Sequence, residues 1–177
     1  ASSVAREVAN DTGIDLRVSD GVYMVQTGNA GYIWGLNEQS HDNVVIEVQT
    51  EQVSTFENNA YGVMCRADTS NNGDGYYFLI SGDGYYSISR GEGDDVTPII
   101  EWTQSSAIEE GTAVNTIRAV CIDDYLGLYV NDRFVDETRD STYGSGYAGL
   151  AGTAFEDGDM IIHFDNLTIW EATLGGE

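Results

Sequence analysis

Apolar and polar positions alternate with a period of two through most of the chain. Val44, Ile46, Val48 and Thr50 interleave with Val45, Glu47, Gln49 and Glu51, the pattern of a strand with one covered face and one wet face. Comparable short runs span Val22 to Gln26, Tyr32 to Gly35, Tyr61 to Ala67, Tyr76 to Ile80, Tyr85 to Arg90 and Pro98 to Trp102. They continue with Asn115 to Ile122, Tyr125 to Val130, Arg133 to Thr138, Tyr147 to Ala151 and Met160 to Trp170. About a dozen short strands without a long helical period predict an all-β antiparallel sandwich or barrel. Asn131-Asp132 reads as a two-residue hairpin turn. Val4 to Ala9 and Ser105 to Glu110 are the stretches that suit a short helical turn.

One segment repeats itself. Gly73-Asp74-Gly75-Tyr76-Tyr77-Phe78-Leu79-Ile80-Ser81 is followed at once by Gly82-Asp83-Gly84-Tyr85-Tyr86-Ser87-Ile88-Ser89. Each copy is a glycine-aspartate turn leading into a ring-rich strand, so two copies make a hairpin. Tyr76, Phe78 and Ile80 share one face and Tyr77 and Leu79 the other. Rings on both faces mean either that both are covered or that one meets a ligand.

Thirty acidic residues oppose seven arginines and no lysine, a formal net charge of -23 in 177 residues. Such a surface repels phosphate backbones and anionic leaflets, so neither nucleic acid nor membrane insertion is expected. Divalent cations are the inorganic partners it suits, although acids also serve solubility alone. Cys65 and Cys121 lie in strand-like segments, and a bridge between them, if both point inward, would pin strands far apart in sequence; two buried thiols are the alternative. The Ala-Ser-Ser start reads as the end of a cleaved secreted chain. Asn10-Asp11-Thr12 and Asn166-Leu167-Thr168 are glycosylation sequons, and together these features point to an extracellular or cell-surface protein.

The order of the segments carries a resemblance. Asn43-Val44-Val45-Ile46-Glu47-Val48, Tyr61-Gly62-Val63-Met64-Cys65-Arg66 and the Asp-Gly-Tyr-Tyr hairpin are followed by Ile117-Arg118-Ala119-Val120-Cys121 and Leu126-Gly127-Leu128-Tyr129-Val130. Gly146-Tyr147-Ala148-Gly149-Leu150 and His163-Phe164-Asp165-Asn166-Leu167-Thr168-Ile169 close the series. This resembles the concanavalin A-like lectin/glucanase (laminin-G-like) superfamily, and most of all its short extracellular bacterial modules. The resemblance implies a two-sheet jelly roll over residues 21–177, with residues 1–20 as a leader that the family does not explain. It leaves function open, because that sandwich hosts lectins, hydrolases and structural modules alike.

Candidate chemistry follows from single positions. Glucanases of this fold carry Glu-x-Asp-x-Glu on one strand face; here Glu47 and Glu51, about 13 Å apart by strand rise, flank Gln49 instead of an acid. Without the middle carboxylate the separation of pKa values between acid and nucleophile is harder to arrange, so no enzyme is expected. Asp68, Ser70 and Asn72, with Gly73 after them, space oxygen ligands as calcium loops do, though Leu79 stands where an EF-hand has its glutamate and an unoccupied turn is the reading this segment favours. The resemblance implies a second calcium position beside Asp165. His41 and His163 are the only histidines, and His163 shares a strand face with Asp165.

These residues favour a secreted sandwich that acts by contact. The expected partner is a glycan or a cell-surface protein, met by Trp34, Tyr76, Tyr85 and Trp102 on the concave sheet. The alternative is a subunit of a self-assembling extracellular fibre, with residues 1–20 adding a strand to a neighbour's sheet. A glycoside hydrolase built on Glu47 and Glu51 is the third reading.

Overall fold

The computed structural model describes residues 14–19, 22–27, 33–52, 59–68, 74–92, 95–154 and 160–171, and side chains from residue 42 onward apart from 59, 153–154, 160–161, 166–167 and 171. Thirteen strands make up the described chain: β1 (Ile14–Ser19), β2 (Val22–Thr27), β3 (Ile33–His41), β4 (Val44–Gln52), β5 (Asn59–Ala67), β6 (Gly75–Ile80) and β7 (Tyr85–Glu92). They continue as β8 (Asp95–Gln104), β9 (Val114–Ile122), β10 (Tyr125–Val130), β11 (Arg133–Arg139), β12 (Gly146–Ala154) and β13 (Met160–Glu171). Twelve of these were legible as alternating runs; β1 was not. The strands form two antiparallel sheets, one of seven in the order β1-β2-β13-β4-β9-β10-β11 and one of six in the order β3-β12-β5-β6-β7-β8. This is a two-sheet antiparallel jelly-roll sandwich, of the all-β class that the alternation predicts.

Period-two alternation decides what lies between the sheets. Val44, Ile46 and Val48 of β4 and Ile117, Ala119 and Cys121 of β9 point inward from one sheet. Tyr61, Val63 and Cys65 of β5 and Tyr76, Phe78 and Ile80 of β6 meet them from the other. Cys65 and Cys121 are bonded, so a bridge with 56 residues of sequence separation ties β5 of one sheet to β9 of the other. The free-thiol alternative is thereby excluded. The sole proline, Pro98, sits on β8 at the end of the six-stranded sheet, where a missing N–H costs least.

Turns follow their chemistry. Asn131 and Asp132 have φ of 55° and 64° between β10 and β11, the left-handed pair that a two-residue hairpin needs. The duplicated Gly-Asp-Gly-Tyr-Tyr segment forms the β6–β7 hairpin, with Phe78 opposite Ile88. Ser105 to Glu110 corrects one expectation. It forms turns and not a helical segment, because Ala107 and Ile108 drop into the core while Asn115 anchors the backbone of Glu109 on both sides. Val4 to Ala9 lies outside the described residues. Ile14–Ser19, within the first twenty residues, pairs with β2 and extends the chain's own seven-stranded sheet.

Candidate functional site

The four predicted contact rings all fall on the six-stranded sheet, and one of them, Tyr76, is turned into the core. Tyr76 is fully buried, facing the core, with its hydroxyl donating to Asp140 Oδ1 at 2.6 Å and its ring edge-on to Tyr143. It therefore has no face for a ligand, and that expectation is corrected. Trp102 is half-buried against a second apolar cluster on the sheet's outer surface, made of Ala60, Met64, Ala67, Tyr77, Leu79 and Ala151. Tyr85 is 37% exposed at the start of β7. Trp34 pairs with Ala151 on β3, at the edge opposite β8, and its side chain lies outside the described burial. Since Met64, Tyr77 and Leu79 are all fully buried, both faces of β6 are covered.

The open surface is the outer face of the seven-stranded sheet. Register places Trp170 beside Val45, Val45 beside Val120, and Val120 beside Gly127, one residue from each of β13, β4, β9 and β10. These four make an apolar row running across the strands. Gly127 leaves room there for a ring: a Cβ would come within 2.8 Å of the Tyr125 hydroxyl and 3.0 Å of its ring, so Tyr125 lies over the glycine. Tyr125 donates to Glu137 at 2.8 Å, and burial together with that carboxylate pushes its hydroxyl up to about 12.

The next row along the strands is charged and aromatic. Thr168, Glu47, Arg118, Tyr129 and Phe134 stand side by side across five strands. Arg118 reaches Glu47 at 3.6 Å, pairs with Asp132, and stacks 5.3 Å from the Tyr129 ring centre. Tyr129 meets Phe134 edge-on at 5.5 Å. Trp170 at 45% and Phe134 at 53% exposure are the open rings of this face. Phe134 carries no contact signal in sequence, whereas Trp170, like Trp34 and Trp102, is a ring that could stack on a sugar if it lines a cleft, with packing in an apolar strand as the alternative. Trp170 follows buried Ile169 in an apolar-looking run, and only the register of β13 against β4 shows which of the two faces out.

Two rows further on, β13 sets Asp165 opposite Gln49 and His163 opposite Glu51. Gln49, Thr50, Glu51, His163 and Asp165 line a small pocket of about 80 Å³. The fold thus brings a carboxylate beside the glutamine that interrupts the acidic pattern of β4. Glu47 stands apart, held by Arg118, so Glu47 and Glu51 do not share a pocket. Among the described residues no three His, Cys, Asp or Glu side chains group closely enough to hold a metal ion. Asp68 is described, whereas Ser70 and Asn72 fall outside the described residues, as do the Asn10 sequon and the Asn166 side chain.

A larger cleft of about 460 Å³ opens at one end of the sandwich, lined by Asp42, Asn43, Asp123, Asp124, Ser141, Tyr143, Gly144 and Ser145. Four of these lining residues are bonded by Arg66, which is fully buried with φ of 56°. The guanidinium donates to the carbonyls of Asp42 at 2.8 and 3.1 Å, Asp123 at 2.5 Å and Tyr143 at 3.0 Å, and to Asn43 Oδ1 at 3.3 Å. One side chain therefore ties together three separate turns.

No protein-family model and no curated protein matches the chain. Solved structures do match in fold. A carbohydrate-binding module from Bacillus subtilis has a TM-score of 0.67 at 18% identity, with 96% of this chain and 92% of that one covered. A functionally unknown protein from Saccharomyces cerevisiae has a TM-score of 0.66 at 12% identity over 89% and 91% of the two chains. An alginate lyase of polysaccharide lyase family 7 has a TM-score of 0.58 at 10% identity over 89% and 82%. At these identities the likeness is one of fold. The chain is an all-β jelly-roll sandwich of two antiparallel sheets, of nearly the same extent as the binding module.

Proposed function

We propose that this protein is an extracellular or cell-surface module that binds carbohydrate by contact, through the outer face of the seven-stranded sheet, and performs no chemistry on it. The observation that carries the reading is the pair of open rings, Trp170 and Phe134, on a face that also holds ordered polar groups. Rings offer flat apolar surfaces to the C–H faces of sugars, and the Glu47–Arg118 pair and the Gln49–Asp165 row offer hydrogen bonds to hydroxyls. The fold shared with a carbohydrate-binding module supports it. The inter-sheet disulfide supports an oxidising compartment. Separation of Glu47 from Glu51, with Glu47 bound to Arg118, supports binding without hydrolysis.

A glycan array followed by calorimetry on the intact protein tests this, with release of reducing ends from the bound glycan assayed in parallel. Binding without release is expected. Absence of any glycan ligand would remove the proposal, and turnover abolished by Glu51→Gln would replace it with an enzymatic one.

A further inference from the structure

Resting on that reading, we infer that the ligand is an uncharged polysaccharide lying lengthwise across the strands of the seven-stranded sheet, engaged along its chain and not by its end. The geometry of the open rings points to it. Trp170 is on β13 and Phe134 on β11, four strand spacings apart, which is about 19 Å at the usual inter-strand distance. From Trp170 the apolar row of Val45, Val120 and the Tyr125 ring over Gly127 runs toward β11 and is one side chain wide, and Phe134 stands one row along the strands from it, beside Tyr129. A monosaccharide or chain end would occupy one ring and leave the other idle. A linear chain of several sugars reaches both and lies along the row.

The width and the flanks argue for sugar over protein. A stable protein partner buries roughly 800 Å² per side around an apolar centre, whereas this row is bordered directly by the Arg118–Glu47 pair on one side and by Arg139, paired with Asp124 at 2.6 Å, on the other. Paired charges next to a narrow apolar row suit a ligand that alternates C–H surface with hydroxyls. Charge chooses among polysaccharides: with 30 acids against seven arginines, the surface repels uronate, sulfate and phosphate polymers. A second copy of this chain is repelled on the same ground.

The test is calorimetry with laminari-, cello-, manno- and xylo-oligosaccharides from monosaccharide to octasaccharide, against alginate and polygalacturonate oligomers of matched length. For a neutral series, affinity should climb with length until both rings are spanned and then level off. Trp170→Ala and Phe134→Ala should each weaken the octasaccharide by about tenfold without altering the melting temperature, while Trp170→Tyr keeps most of the affinity. Equal affinity for monosaccharide and octasaccharide, tighter binding of the anionic polymers, or full affinity in both alanine variants overturns the inference while leaving carbohydrate binding intact. Failure of every glycan to bind overturns both, and retention of Trp170-dependent binding to a protein instead assigns the face to a protein partner.

Discussion

Arg66 holds one end of the molecule together through hydrogen bonds to neutral carbonyls, not through an ion pair. Burial lowers its pKa while the nearby Tyr76 hydroxyl and the Asp123, Asp42 and Asp124 carboxylates act to raise it, and it stays charged. Arg66→Lys keeps the charge but loses the planar fork, leaving carbonyls of separate turns without a donor. A loss of about 2–3 kcal/mol in urea unfolding is expected. An unchanged midpoint would mean that water replaces the guanidinium. The tyrosine hydroxyls give a pH-dependent counterpart. Burial pushes Tyr61 and Tyr76 up to about 12, and Tyr125 reaches the same level. Because the folded state holds these protons above the ordinary tyrosine pKa near 10, their contribution to stability is complete below about pH 10 and lost as pH rises through about 12. Phenolate absorbance should show a late-titrating class, and the urea midpoint should fall across that window. Ionisation of all eleven tyrosines near the ordinary value would contradict it.

The strands pair through registers that bring together residues remote in sequence, and the disulfide is the covalent case. Closing a loop of 56 residues stabilises the fold by about 4 kcal/mol in the chain-entropy model. Replacing Cys65 and Cys121 with alanine should therefore lower the melting temperature by roughly 8–16 °C for a domain of this size. A drop of a degree or two would show that the unfolded chain is already compact. That bridge was an open alternative in the sequence, since inward alternation of Val63 with Cys65 and of Ala119 with Cys121 allows it without requiring it. Twelve strands and the duplicated hairpin were legible for the same reason: period two and glycine-aspartate turns are local signals. The contact face was not. Alternation says that Tyr76 and Tyr77 point opposite ways, but not that both sides of β6 are covered. Trp170 and Phe134 come to share one face only after β13, β4, β9, β10 and β11 are set in register. The pocket of Gln49, Glu51, His163 and Asp165 likewise joins two strands more than a hundred residues apart.

The acidic excess acts on the folded body as a whole. Compaction brings 30 carboxylates close together with seven arginines to offset them, and self-repulsion then opposes the folded state. Salt affects this in two opposing ways. It weakens the exposed pairs Arg118–Glu47 and Arg139–Asp124, each worth about 0–1 kcal/mol at most. It also screens the repulsion, as the Debye length contracts from about 30 Å at 0.01 M to about 8 Å at 0.15 M. A net charge of -23 makes repulsion the larger sum, so the melting temperature should rise with sodium chloride over this range, measured by calorimetry at pH 7. A fall would show that the arginine pairs outweigh the excess acids. Binding of a neutral polysaccharide should be nearly insensitive to the same change in salt, because stacking on Trp170 and Phe134 involves no net charge, and a steep salt dependence would point to a charged ligand.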